Sequence, residues 1–268
     1  MSVCGLPALE HIGKVIYILS GAGLPGGPHP IDLTAWYYVG DGEKLINEIL
    51  KPFNSIWVGI YPTPAEIFCH SNVKLECEED FKGVKFRTFG MWGEVLEEYG
   101  ASVVTLSGAE IYEAAQRGLI DAFEYCPPST DWPMGFHEIT KYLGVPGIHS
   151  PSSSMSVIAN LDRWNELPSD LRQIVNDEWA AYVAYEFLDC WYLDALAMKD
   201  YREYGTEIVV LSDEFQEDIA KKGKEFCERF AAEDPVFKKV YDNQKAFYKT
   251  FRGVSQVVQP KYCLFDYD

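Results

Sequence analysis

Apolar residues recur along the chain with two periods, and these periods predict alternating strands and helices. Residues 55–61 form an apolar run rich in β-branched and aromatic side chains, which predicts a buried strand, and residues 81–89 alternate as a second strand. The same patterns predict further strands at residues 102–106, 119–125 and 208–211, and helices at residues 32–50, 91–99, 107–116 and 213–251, the last with a break near Asp234 and Pro235. Strands that alternate with short helices in this way indicate an α/β fold with parallel βαβ units.

The longest helical pattern covers residues 167–204, which carry apolar residues at helical spacing and contain no Gly or Pro after Pro168. A helix of this length would extend roughly 50 Å at about 1.5 Å per residue. Because that is longer than one compact lobe is wide, the pattern predicts a helix that lies across two lobes.

The charge balance of the 268-residue chain is strongly acidic, since 23 Lys and Arg residues against 41 Asp and Glu residues give a net charge of −18. Such a chain repels phosphate backbones and anionic lipid, so we expect no nucleic-acid partner and no polybasic membrane contact. No apolar run approaches the ~20 residues of a membrane-spanning helix, so we expect no direct membrane insertion. We also expect no signal peptide within this chain. The seven cysteines form no C-x-x-C pair, which indicates free thiols rather than a disulfide framework.

Three patterns resemble nucleotide or enzyme motifs but lack the context that these motifs need. The glycines of residues 21–26 fit G-x-G-x-x-G, but the prolines of residues 25–30 prevent the helix whose N-terminus would face a pyrophosphate, so no nucleotide is expected. The five histidines lack H-E-x-x-H spacing, and the serines of residues 150–156 lack a G-x-S-x-G elbow. We therefore expect that the protein is not an enzyme.

Three charged residues lie at or near the ends of predicted strands, where α/β sheets place ligands. Arg87 has apolar neighbours and needs an anion, which either a ligand carboxylate or a buried protein carboxylate would supply. Glu124 lies at the end of its predicted strand, and Glu66 follows a strand that is bounded by prolines. Two carboxylates that converge on an arginine could hold a metal ion and an organic acid together, which at this point is one of several alternatives.

Around these residues the sequence resembles a known family along most of its length. Residues 80–88, DFKGVKFRT, resemble the DLKGLKxR element of the TRAP-transporter solute-binding proteins, the DctP-type periplasmic receptors. The resemblance continues, with the family's order and spacing, through residues 93–96, 99–112, 116–125, 135–142 and 160–171. It extends over roughly residues 31 to 250 and is therefore more specific than any single motif.

The resemblance implies a two-lobed, periplasmic-binding-protein-like α/β fold with a long helix that bridges the lobes. Family members usually begin with a signal peptide and a β-α-β-α stretch that residues 1–30 do not resemble, so the first lobe is expected to be incomplete. The expected division assigns residues 1–64 and 153–190 to lobe I, residues 65–152 and 191–250 to lobe II, and residues 251–268 to a C-terminal tail.

The resemblance also implies a function and a cellular location. Receptors of this family are periplasmic, close their lobes on a small organic acid and present it to the membrane permease subunits of a TRAP transporter. A truncated or degenerate relative that binds no ligand, and that acts as a scaffold or has no function, would share every motif quoted above and is the alternative.

The family further implies roles for individual residues. Arg87 would clamp the carboxylate of the ligand. Glu124 and Tyr125 resemble the Glu-Trp pair of the branch that binds 2-oxo or 2-hydroxy monocarboxylates through a bound cation, and Glu66 is the expected second ligand of that ion. The expected ion is Ca²⁺ or Na⁺, since hard cations favour oxygen ligands. Other candidates for contact with the ligand, with a core role as the alternative for the aromatic ones, are Trp92, His149, Tyr61 and Trp132.

Overall fold

Two β-sheets carry the fold of the computed structural model, which describes residues 2–5 and 11–258. The smaller sheet is antiparallel and has the strand order β1-β8-β2, and the larger sheet is mixed and has the order β5-β4-β6-β3-β7-β9. The strands are β1 (Ser2–Gly5), β2 (Ser55–Thr63), β3 (Cys69–Ser71), β4 (Lys85–Arg87), β5 (Ser102–Val104), β6 (Ala122–Phe123), β7 (Tyr142–Val145), β8 (Ser153–Asn160) and β9 (Glu207–Val210).

Parallel pairing occurs in two parts of the larger sheet, as the alternation of strands and helices predicts. Strand β4 pairs in parallel with both β5 and β6, and β7 pairs in parallel with β9. Strand β3 lies between β6 and β7 and is antiparallel to both. The sequence patterns did not predict β3, because three residues are too few to show a period. The order of the sheet places the carboxyl ends of β4 and β6 side by side.

Ten helices surround the two sheets in the described part of the chain. They are α1 (Val15–Ser20), α2 (Pro30–Val39), α3 (Gly42–Leu50), α4 (Gly90–Glu98), α5 (Gly108–Gln116), α6 (Pro128–Asp131), α7 (Leu161–Glu166), α8 (Ser169–Tyr204), α9 (Asp213–Glu233) and α10 (Pro235–Val258). The predicted break between α9 and α10 is confirmed at Asp234, whose carboxylate accepts a hydrogen bond from the amide of Val236 at 2.7 Å. Residues 251–258 continue α10, and residues 259–268 of the predicted tail lie outside the described residues.

The single helix predicted at residues 32–50 is wrong, because the chain turns at Gly40 and forms α2 and α3 instead. The turn is tightly packed: a Cβ atom at Gly40 would lie 2.7 Å from the carbonyl oxygen of Trp36, and one at Gly42 would lie 2.7 Å from the Cα of Tyr37. The apolar period runs on across this turn, so periodicity alone does not reveal it.

The 36-residue helix α8 connects the two sheets, as its length predicts. At its N-terminal half, the indole Nε1 of Trp179 donates to the carbonyl oxygen of Ile60 in β2 at 3.0 Å. The same indole lies so close to the backbone of β2 that a Cβ atom at Gly59 would be 1.7 Å from it. Towards its C-terminus, the carboxylate of Asp194 accepts a hydrogen bond from the amide of Ser129 in α6 at 2.8 Å. The helix therefore bridges the smaller sheet and the loops of the larger one.

The main hydrophobic core packs α1 to α4, α9 and α10 against strands of both sheets. Its bulkiest fully buried side chains include Trp36, Trp92, Phe68, Phe81 and Phe237. Five cysteines have described side chains, and all five are free thiols. Within residues 2–5 and 11–258, no helix combines the length and the apolar character needed to cross a membrane.

Candidate functional site

Arg87 and Glu124 meet at the carboxyl ends of two adjacent parallel strands. Arg87 is the last residue of β4, and its backbone partner in β6 is Phe123, which directly precedes Glu124. The Nη1 atom of Arg87 donates to the carbonyl oxygen of Glu124 at 2.8 Å and to its Oε1 at 3.2 Å, while Nε donates to the carbonyl oxygen of Leu106 at 3.0 Å. The guanidinium is thus fixed across the ends of three strands, where α/β sheets hold their ligands.

Glu66 and His149 come to the same place on two segments that pack backbone against backbone. The amide of Glu66 donates to the carbonyl oxygen of Ser150 at 3.2 Å. A Cβ atom at Gly147 would lie 1.9 Å from the carbonyl oxygen of Glu66, so only glycine permits this approach. The contact brings His149 Nε2 to 3.4 Å from Oε2 of Glu66.

Three of the predicted site residues form a compact buried group, which we call the site cluster: Glu66, Glu124 and His149. One ligand atom from each lies within 4.8 Å of the others, and the three residues are only 7%, 1% and 1% exposed. Oε2 of Glu124 and both ring nitrogens of His149 are buried without a hydrogen-bond partner. A buried polar atom without a partner costs about 1–3 kcal/mol. Carboxylate oxygens and an unpartnered imidazole are donors that fit a bound cation.

Burial disfavours every charge in the site cluster. It raises the pKa of Glu66 to about 8, against the opposing effects of the Ser150 hydroxyl and Arg87. Burial, together with the neighbouring Glu66, raises the pKa of Glu124 to about 7, although Arg87 opposes this. Burial also lowers the pKa of His149 to about 4. The single guanidinium of Arg87 therefore does not keep both Glu66 and Glu124 ionised. A further positive charge would let both carboxyl groups lose their protons.

Tyr125 and Trp92 occupy different positions relative to the site cluster. Tyr125 is partly exposed, and its ring lies against the start of α5, where a Cβ atom at Gly108 would be 2.7 Å from it. The ring also packs edge-to-face on Phe136, with 5.7 Å between centroids, which leaves it able to line a binding cleft. Trp92 is fully buried in α4 and touches the site through His149, with their ring centroids 5.7 Å apart. Its contact with a ligand stays a prediction.

The two remaining aromatic candidates make ring contacts with residues outside the site cluster. Trp132 stacks on His137 with a centroid distance of 3.9 Å and packs against Tyr201, so it belongs to a separate group of side chains. Tyr61 lies in β2, with its ring 6.4 Å from that of Tyr182 in α8. Contact of either residue with a ligand stays a prediction.

The glycine-rich segment that resembles a nucleotide motif has a structural role beside the site. The amide of Gly23 donates to the hydroxyl of Ser150 at 3.3 Å, and a Cβ atom at Gly21 would lie 2.6 Å from Oγ of Ser152. The segment therefore packs directly on the loop that carries His149. The sequence did not single out Ser150 as a site residue, and its only signal was the polar run that begins at His149.

Comparison with known proteins gives one consistent family. Residues 35–234 match the bacterial extracellular solute-binding proteins of family 7, DctP. The chain is 31% identical over 255 residues to a monocarboxylate 2-oxoacid-binding periplasmic protein from Nostoc sp. (strain PCC 7120), and the match covers 94% of this chain and 69% of the relative.

Two solved structures are similar to the whole described fold. A TRAP periplasmic solute-binding protein from Colwellia psychrerythraea, with bound calcium and pyruvate, has a TM-score of 0.86 at 24% identity over 96% of this chain and 78% of its own. A second, from Pseudoalteromonas atlantica, with bound sodium and pyruvate, has a TM-score of 0.84 at 24% identity over the same shares, 96% and 78%. At this identity the likeness shows the fold, which is the two-lobed architecture of these receptors.

Proposed function

Because the chain belongs to the DctP family of TRAP-transporter solute-binding proteins, which are receptors and not enzymes, we propose that it binds a 2-oxo or 2-hydroxy monocarboxylate together with a cation. Proteins of this family are periplasmic, bind small organic acids and work with membrane permeases. For this chain, a periplasmic location and delivery of the acid to the permease subunits of a TRAP transporter are part of the proposal.

The observation that carries the proposal is the convergence of Arg87 with the site cluster. A guanidinium matches a carboxylate in shape and charge, and that of Arg87 is held rigidly by its bonds to Leu106 and Glu124. Because Arg87 is only 7% exposed, a carboxylate that reached it would be largely removed from water, and the attraction would be stronger than at the surface. Arg87 would therefore bind and orient the acid group of the ligand.

Glu66 and Glu124 would hold the cation, and Tyr125 would line the cleft beside them. The relative from Nostoc is named for 2-oxo monocarboxylates, and the two similar structures hold pyruvate with calcium or sodium. A bound cation would offset the charges of both glutamates and of the ligand carboxylate. Without it, three negative groups would face one arginine in a buried space.

Thermal denaturation of the metal-free chain tests the proposal. The panel is pyruvate, lactate, a longer 2-oxo acid and succinate, each with Ca²⁺, with Na⁺ and with EDTA. A ligand at 100 times its Kd stabilises the folded state by about 2.7 kcal/mol, which at this size raises the Tm by a few degrees. We expect such a shift for the monocarboxylates only when a cation is present. A cooperative transition that no acid and no cation shifts would contradict the proposal and favour a relative that binds no ligand.

A further inference from the structure

Packing and a tight turn fix the ring of His149 in the site cluster and leave both of its ring nitrogens without a hydrogen bond. Its ring packs edge-to-face on Phe68, with 5.5 Å between centroids, and lies against Trp92 at 5.7 Å. Its backbone is fixed by the tight turn in which the amide of Ser150 donates to the carbonyl oxygen of Gly147 at 3.0 Å. The aromatic rings and this turn orient the imidazole without using either of its nitrogens.

The lack of a partner for these nitrogens is unusual for a buried histidine. Nearly all buried polar side-chain atoms in folded proteins make at least one hydrogen bond. His149 is 1% exposed, and neither Nδ1 nor Nε2 has a hydrogen-bond partner. Its closest charged neighbour is Oε2 of Glu66, 3.4 Å from Nε2. Two donors about 2.1 Å from one ion lie roughly 3.0–3.4 Å apart, so this separation is that of two ligands of the same ion.

We propose that His149 is a third protein ligand of the cation, and that the site therefore prefers a divalent first-row transition metal, such as Co²⁺ or Ni²⁺, to Ca²⁺ or Na⁺. The inference rests on the proposed function in that the same cation accompanies the organic acid. Imidazole nitrogen suits transition metals, whereas Ca²⁺ and Na⁺ prefer ligand sets made of oxygen alone. Three protein ligands leave coordination positions for the oxygens of the acid.

The first test measures metal affinity by calorimetry on the metal-free chain, with Co²⁺, Ni²⁺ and Ca²⁺ in the presence of pyruvate. We compare the wild type with His149→Gln, which offers an amide oxygen in place of the nitrogen, and with His137→Gln as the matched control outside the site cluster. His149→Gln is expected to weaken Co²⁺ and Ni²⁺ binding by about tenfold or more, while Ca²⁺ affinity changes by less than about threefold. His137→Gln should behave as the wild type. Equal losses for all three ions, or none, would overturn the proposal.

The second test needs no variant, so it holds even if His149→Gln does not fold. Pulsed electron paramagnetic resonance of the wild type loaded with Mn²⁺ should reveal the ¹⁴N coupling of a directly bound imidazole. If Ca²⁺-dependent pyruvate binding occurs but the Mn²⁺ spectrum contains no nitrogen coupling, then His149 is not a metal ligand, and the proposed function stands. If nitrogen coupling is present but no organic acid binds under any condition, then the metal site stands and the proposed function fails.

Discussion

Two buried groups of histidine and carboxylate residues lie in the part of the chain that the structure describes, and they differ in how their polar atoms are used. In the closed pair, formed by His70 and Asp131, Nε2 of the histidine lies 2.9 Å from Oδ2 of the aspartate, and both side chains are fully buried. In the site cluster, the nearest approach of nitrogen and carboxylate oxygen is 3.4 Å and makes no hydrogen bond. The closed pair uses one nitrogen of its imidazole, whereas the site cluster uses neither nitrogen of His149.

This comparison indicates that burial alone does not identify a binding site. One histidine and one carboxylate can share a single proton and remain neutral together. The site cluster contains two carboxylates, and Arg87 supplies only one positive charge against them. Two carboxylates against one guanidinium favour the proposed cation, whereas the closed pair has one carboxylate and one imidazole, although Oδ1 of Asp131 and Nδ1 of His70 are also buried without a partner.

Substitution of Arg87 by Ala should have the largest effect on binding. It removes the proposed carboxylate clamp and leaves Glu124 buried without its charged partner. Truncation of one member of a buried, hydrogen-bonded charge pair costs about 2–5 kcal/mol, so calorimetry should show a loss of pyruvate affinity of roughly 100-fold. The matched control is Arg163→Ala, which breaks an exposed ion pair with Glu166 and should leave affinity unchanged. Affinity that survives Arg87→Ala would refute the clamp.

Substitution of Asp131 by Ala should break the closed pair and affect stability rather than binding. His70 would lose the partner of its buried hydrogen bond, which costs about 2–3 kcal/mol with the small cavity included. We therefore expect a lower Tm in the metal-free chain, with the additional shift caused by pyruvate and cation retained. Loss of that ligand-induced shift in a folded variant would mean that the closed pair belongs to the binding site.

Substitution of Glu66 by Gln should stabilise the metal-free chain, whereas substitution of Asp131 by Ala should destabilise it. Burial raises the pKa of Glu66 to about 8, so near pH 7 the folded state must keep a proton on a carboxyl that ionises freely in the unfolded chain. A neutral amide avoids this cost, and we expect the free energy of unfolding to rise by about 1–3 kcal/mol in chemical denaturation at pH 7. Cation affinity should fall about tenfold or more in the same variant.

The opposite effects expected for Glu66→Gln and Asp131→Ala are the sharpest test of the difference between the site cluster and the closed pair. A carboxylate that is a metal ligand should destabilise the metal-free chain, and one that is a structural partner should stabilise it. If Glu66→Gln lowered stability as Asp131→Ala does, Glu66 would have a structural role and the site cluster would lose one of its three proposed ligands.

Much of the local structure could be predicted from the sequence, because it depends on local patterns. The apolar run before Pro62 predicts most of β2, and the uninterrupted helical pattern predicts α8 within a few residues. Strands β3 and β7 were missed because they are three and four residues long. Strand β8 was missed because its serines alternate with apolar residues in a segment that reads as polar. Short strands are defined by their partners in the sheet rather than by their own sequence.

The candidate site, like the fold, could be predicted from the sequence only where it depends on residues that are close together in the chain. Arg87, Glu124 and Glu66 lie at or near strand ends that the sequence indicates, and the family resemblance adds their expected roles. The position of His149 in the site cluster depends on the contact between Gly147 and the backbone of Glu66, which are far apart in the chain. A sequence pattern cannot reveal a contact of this kind, so the sequence names His149 as a candidate for contact with the ligand but does not place it beside Glu66.

The pH dependence of the Asp131→Ala variant gives the smallest expected effect and tests the protonation of the closed pair. Burial raises the pKa of Asp131 well above its usual range, and the nearby Glu66, Glu124 and Asp194 raise it further. The folded state therefore keeps a proton that the unfolded chain releases above about pH 4. The stability contributed by Asp131 is fully present below that pH and is lost as the pH rises towards the folded-state pKa. The difference in unfolding free energy between wild type and variant should shrink by up to ~1.4 kcal/mol per pH unit, measured by chemical denaturation between pH 5 and 7. A difference that stayed constant between pH 5 and 7 would mean that the folded pair holds no proton and that Asp131 is ionised in the folded state.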